Sequence, residues 1–150
     1  GSSYCPGEII SAFLFAQFEH ATAICDRRRA LYELYREGLA SLAAAGDIAI
    51  PQATGAETNG HIFWLLLRDE PTRAALIRHL NQQGINAVFH YVPLHSAPAG
   101  RRYGRPAAEV LPVTDSVSSR LLRLPLYLEL GDADVARVVR AVGNFFGRNI

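Results

Sequence analysis

The chain has 150 residues, 49% of them hydrophobic, and a formal net charge of +1. That length fits one domain or part of a larger one, the apolar share is enough for a core, and the interspersed charges give no reason to expect nucleic acid or a membrane as partner. All 15 basic residues are arginine, so no side-chain amine is present to form a Schiff base.

Residues 7–45 have helical periodicity, with Ile9, Ala12, Phe13, Ala16, Ile24, Leu31, Leu34, Tyr35 and Leu42 recurring at three- and four-residue spacing. Pro6 suits a first turn and Gly46 a C-terminal stop. The segment is too long for one average helix, so two helices, or one bent near residues 21–25, are expected. Phe13, Phe15 and Phe18 make the first half apolar nearly all round, which calls for a covering surface.

Residues 48–50 read as a short strand before Pro51, and residues 52–60 as a polar loop. A near-continuous apolar run over residues 61–67 predicts a buried strand. Pro71 and Thr72 open a helix that runs to Gln83 on Ala75, Leu76, Ile77 and Leu80, and Gly84 closes it. Residues 85–91 follow as a strand ending before Pro93. Residues 96–113 are rich in Pro, Gly, Ala and Arg and predict an excursion or short helix. Thr114 or Asp115 is the expected N-cap of a helix through Leu121, and residues 122–126 read as an edge strand because of Pro125. Gly131 and Asp132 introduce a last helix carrying Val135, Val138, Val139, Val142 and Phe146 on one side. The expected fold is α+β: a mainly antiparallel sheet of three or four strands with helices on one face, and a long N-terminal helical arm. The expected division is an arm over residues 1–45 and a small domain over residues 46–150.

Cys5 and Cys25 read as free thiols of a reducing compartment. With no apolar run of spanning length and no signal-peptide pattern, the cytoplasm is the expected location.

The densest polar-aromatic cluster is His90-Tyr91-Val92-Pro93-Leu94-His95. Strand alternation would put His90 and Val92 on one face and Phe89 and Tyr91 on the other, and Pro93 would turn the chain out at the strand end, where loops carry binding groups. Two imidazoles and a phenol there suit a polar ligand such as a sugar; alternatively, His90 simply bonds a backbone carbonyl. The four-residue gap between His90 and His95 is not a zinc spacing, and no cysteine lies near. His20, His61 and His79 read as surface or capped histidines. Arg27, Arg28 and Arg29 read as a solvated helix surface with Glu33 pairing Arg29, while Arg101, Arg102 and Arg105 could clamp a diphosphate. No Walker loop, dinucleotide fingerprint or nucleophile elbow is present.

Four ordered motifs carry a resemblance over nearly the whole chain. Gly1-Ser2-Ser3-Tyr4-Cys5-Pro6-Gly7-Glu8, with Ala12 and Ala16-Gln17-Phe18-Glu19, resembles a "G-x-N-Y-R-x-x-E…A…Q-L" stretch. Asn59-Gly60-His61-Ile62-Phe63 resembles a post-loop strand. Gly84-Ile85 with residues 90–95 resembles "GI…HYxPLH", and Leu122-Arg123-Leu124-Pro125-Leu126-Tyr127 resembles "LPL[YF]". Together they are similar to the DegT/DnrJ/EryC1/StrS aminotransferases, and most like the branch that makes dTDP-4-amino-4,6-dideoxygalactose from dTDP-4-dehydro-6-deoxyglucose.

The resemblance implies the small C-terminal domain of a fold-type-I pyridoxal 5'-phosphate (PLP) enzyme. That enzyme would be a homodimer that takes its amino group from glutamate. The family's cofactor lysine and its pyridine-pairing aspartate belong to a preceding domain, so no PLP is expected on this chain and it is expected to be inactive alone. By the same resemblance, His90, Tyr91 and His95 would line the sugar-nucleotide pocket, and Ser3 and Tyr4 would reach the partner subunit's cofactor phosphate. Ser3 stands where the family has Asn and Cys5 where it has Arg, and a thiol cannot replace that charge. The competing expectation is a non-catalytic nucleotide-sugar-binding or protein-interaction module derived from such a domain.

Overall fold

The computed structural model describes residues 4–52, 58–105 and 111–150. Ser3 lies outside the described residues, as does part of the loop expected over residues 52–60.

The arm forms three helices: α1 (Glu8–Glu19), α2 (Ala21–Gly38) and α3 (Ala40–Ala44). The breaks fall at His20 (φ −108°, ψ 6°) and Leu39 (φ −100°, ψ 0°), so the first lies just before the expected bend and the second was not foreseen. Pro6 precedes the N-cap Gly7 instead of sitting in the first turn. Gly46, at φ +78°, follows the end of α3 as a left-handed stop. α1 buries none of its residues, whereas α2 buries Leu31, Tyr32 and Tyr35.

Three antiparallel strands, β1 (Phe63–Leu66), β2 (Val88–Phe89) and β3 (Leu121–Leu124), are ordered β1-β3-β2. Phe63 pairs with Leu124 and Leu65 with Leu122, and all four are buried. Their neighbours Trp64, Leu66, Leu121 and Arg123 fall on the opposite, half-exposed face. Period two therefore splits this sheet into a core face and an open face. The core face meets the arm through Phe63, whose ring centroid lies 5.1 Å from those of both Tyr32 and Tyr35.

Several expectations are corrected here. β3 is the central strand and not an edge: Pro125 falls one residue past its end, so the missing N–H interrupts no ladder. The strand expected over residues 85–91 shrinks to two residues, because the chain leaves the sheet after Phe89. Residues 48–50 contribute a single bridge, Ala49 to Leu66.

Four further helices lie among the described residues: α4 (Glu70–Gln82), α5 (Pro98–Tyr103), α6 (Pro112–Arg120) and α7 (Asp132–Phe145). Asp69 caps α4 by accepting from the Thr72 backbone N–H at 2.8 Å, and these bonds to Thr72 hold its carboxyl below the usual range. α6 begins at Pro112, so Thr114 and Asp115 lie inside it and neither caps it. α7 buries Val135, Val138, Val139 and Val142. It packs on α2 at Gly38, where an added Cβ would stand 2.9 Å from a Val139 methyl. Close helix approach at this point therefore requires glycine.

Candidate functional site

The site is assembled where β2 ends. Phe89 is its last strand residue, and His90 follows with Nδ1 buried and without a hydrogen-bond partner among the described residues. Among the described residues no backbone carbonyl accepts from that nitrogen. Burial, and then the positive charge of Arg123, push the His90 imidazole below its ordinary value of 6.5. The ring therefore takes up a proton less readily than a free imidazole. Tyr91 stands beside it with its ring centroid at 4.8 Å and is largely exposed.

The rest of the segment is a tight turn. The Pro93 carbonyl accepts from the backbone N–H groups of Ser96 (3.1 Å) and Ala97 (3.0 Å) and from the Ser96 hydroxyl (3.1 Å). Gly100 of α5 packs so closely beneath it that an added Cβ would lie 1.5 Å from the Leu94 carbonyl oxygen. His95 turns toward α6, its Nε2 being 2.9 Å from Asp115 Oδ1. The structure therefore brings His90 and Tyr91 together and engages His95 separately, as an anchor of the turn.

Two clefts adjoin at His90 and Leu121. One, of about 490 Å³, runs along Tyr91, Pro93 and Leu94 to Thr114 and Ser118 of α6. The other, of about 390 Å³, is lined by Tyr32, Thr58, His61 and Trp64. A largely apolar wall with a few polar groups is a usual make-up for a small-molecule site.

The remaining candidates disperse. Tyr4 is 96% exposed. His61 Nδ1 is 2.6 Å from Asn59 Oδ1 at the rim of the second cleft, and His79 Nε2 is 3.0 Å from the Ala141 carbonyl, which ties α4 to α7. The arginine run on α2 is not simply solvated. Arg27 pairs with Asp132 at 2.8 Å, and Arg29 reaches the Thr58 carbonyl at 2.9 Å. Arg29 pairs with Asp26, while the expected partner Glu33 is taken by Arg36. Arg101, Arg102 and Arg105 are all exposed, with Arg102 lying over the Tyr103 ring. Sequence reasoning missed Arg123: its guanidinium lies 5.4 Å from the Tyr91 ring centroid, and its Nε is buried without a partner.

A three-stranded antiparallel sheet backed by helices and extended by a helical arm is the fold that PLP aminotransferase structures carry over a corresponding third of their length. Residues 1–143 match the DegT/DnrJ/EryC1/StrS aminotransferase family, and the chain belongs to it. It is 27% identical over 136 residues to a UDP-N-acetyl-3-dehydro-α-D-glucosamine 3-aminotransferase of Acidithiobacillus ferrooxidans, covering 90% of this chain and 34% of that protein. DesV of S. venezuelae is 31% identical, with a TM-score of 0.76 over 93% of this chain and 36% of the other. The sugar aminotransferase Spr1654 of Streptococcus pneumoniae, solved in a PLP form, shares the fold at 20% identity and TM-score 0.75, over 87% of this chain and 33% of its own. The chain thus spans about a third of the length of the relatives it matches.

With no lysine, the residues present do not fit covalent attachment of PLP. No step at the cofactor is assigned to them.

Proposed function

We propose that this chain is the C-terminal part, arm and small domain, of a cytoplasmic PLP-dependent nucleotide-sugar aminotransferase. The whole enzyme transfers an amino group from glutamate to the C4 keto group of a dTDP-4-dehydro-6-deoxy-hexose and works as a homodimer. In this reading residues 1–45 form the arm that follows the cofactor domain, and residues 46–150 form the small domain. His90 and Tyr91 face the sugar nucleotide and His95 fixes the turn that carries them. Ser3 and Tyr4 reach toward the partner's cofactor phosphate.

The observation that carries the reading is the imidazole of His90, its Nδ1 buried without a partner among the described residues, beside Tyr91 at the junction of two clefts, in a chain of this family. A buried polar nitrogen without a partner is costly unless a ligand completes it. Amination by the whole protein, with dTDP-4-dehydro-6-deoxyglucose and glutamate, tests it. A product carrying nitrogen at C4 supports the reading, and amination only at C3 of a UDP-linked sugar overturns the substrate assignment.

A second reading is a binding module without catalysis, derived from such a domain. Nucleotide-sugar binding by the protein, with no amination under any donor, would select it.

A further inference from the structure

Arg123 sits in the middle of the central strand, on the open face of the sheet, paired across to Trp64 of β1 and Val88 of β2. The burial of Leu122 and Leu124 on the other face fixes this register, since a one-residue slip would drive the guanidinium into the core. Among the described residues Arg123 makes no hydrogen bond and no ion pair, and its Nε is buried without a partner. Its neighbour is the Tyr91 ring. The similarly half-buried Arg27, Arg29, Arg73 and Arg120 each reach a carbonyl or a carboxylate. Arg28 and Arg73 also leave Nε unpaired, though Arg73 is anchored through its terminal nitrogens; at Arg123 a second unpaired nitrogen, His90 Nδ1, and the Tyr91 ring accompany it.

A half-buried cation without a counter-charge bears a desolvation cost that an anion would offset. A guanidinium presents a planar fork of donors that matches the oxygens of a carboxylate or phosphate. The positive charge of Arg123 also acts on the His90 imidazole, secondary to its burial. We infer that Arg123, with His90 and Tyr91, forms an oxyanion-binding subsite on the open face of the sheet. The oxyanion is the carboxylate of an amino donor or the diphosphate of a nucleotide. This deepens the proposed function but rests on the geometry of this chain alone, so it is tested apart from any transamination.

The test is nuclear magnetic resonance of the 150-residue chain, following the ring resonances of His90 and Tyr91. Sodium glutarate and inorganic pyrophosphate are titrated separately, against sodium chloride at matched ionic strength. The subsite predicts a saturable shift of both rings with at least one oxyanion and none with chloride. Preference for glutarate identifies the donor's carboxylate, and preference for pyrophosphate the nucleotide. R123Q should abolish the response, while R123K, which keeps the charge but loses the fork, should weaken binding by about tenfold. Shifts that do not saturate, that chloride reproduces, or that persist in a folded R123Q overturn the inference. Should R123Q fail to fold, the wild-type titration decides, because absence of a saturable shift there is equally fatal. Amination at another carbon would refute the substrate assignment and leave the subsite standing; loss of the subsite would leave the family assignment standing.

Discussion

The Tyr35 hydroxyl donates to the Pro125 carbonyl at 2.9 Å, tying helix α2 of the arm to the end of the central strand. Burial pushes this phenol well above its ordinary range, so it stays protonated and a donor throughout the usual pH span. Removing only the hydroxyl, in Tyr35→Phe, leaves a part-buried carbonyl unpaired and should cost about 1–2 kcal/mol in urea unfolding. Tyr35→Ala also removes the ring packed on Phe63 and should cost about 3–5 kcal/mol. Equal stability of Tyr35→Phe and wild type would show that the bond does not secure the arm.

The turn carrying Tyr91 to His95 depends on the bare Cα of Gly100. Gly100→Ala should push the backbone away from Leu94 and cost about 1–3 kcal/mol, the usual range for overpacking. Amide resonances of residues 93–97 should move while those of α7 stay in place. An unchanged turn would show that the close approach has slack.

His90 makes stability depend on pH. Its imidazole is pushed below 6.5, so near and below that pH the unfolded chain takes up the proton more readily than the folded one. Stability should therefore fall as pH drops through 6.5 and level off below the depressed folded value. His90→Gln should flatten this slope, and Arg123→Gln should raise the His90 midpoint in a histidine titration. A His90 midpoint at or above 6.5 would contradict the described environment.

The arm presents a surface that the described residues leave uncovered. Phe13, Phe15 and Phe18 are exposed to 69%, 67% and 67%. An apolar patch of this kind usually marks an interface. The chain alone should self-associate with rising concentration, and replacing the three phenylalanines with serine should suppress that without changing the unfolding midpoint of the small domain. Sedimentation showing a monomer at high concentration in both forms would refute it.

What the sequence revealed follows from how local each signal is. The excess apolarity of α1 was legible because Phe13, Phe15 and Phe18 fall on no single stripe. α4 was legible from Pro71 and Gly84 at its ends, and its cap Asp69 adds one residue of precision. The central place of β3 was not, because Pro125 suggests an edge and pairing partners some thirty to sixty residues away leave no local mark. In the site, the polar strand end at His90 and Tyr91 could be read from residue types alone. His95 turning to Asp115 could not, since the partner is twenty residues on and on another element. Arg123 was hidden because one cation in a Leu-Leu-Arg-Leu string has the pattern of any half-buried strand; only its unpaired Nε and the nearby Tyr91 ring distinguish it.

The central claim is that His90 and Tyr91 form the sugar-nucleotide wall of an aminotransferase, and steady-state kinetics of the whole protein test it most directly. With dTDP-4-dehydro-6-deoxyglucose varied at saturating glutamate, His90→Ala and Tyr91→Ala should each raise KM for the sugar nucleotide by about tenfold, a loss of roughly 1.4 kcal/mol. The cofactor absorbance and the half-reaction with glutamate should be retained. An unchanged KM in both variants, with wild-type turnover, would contradict the account.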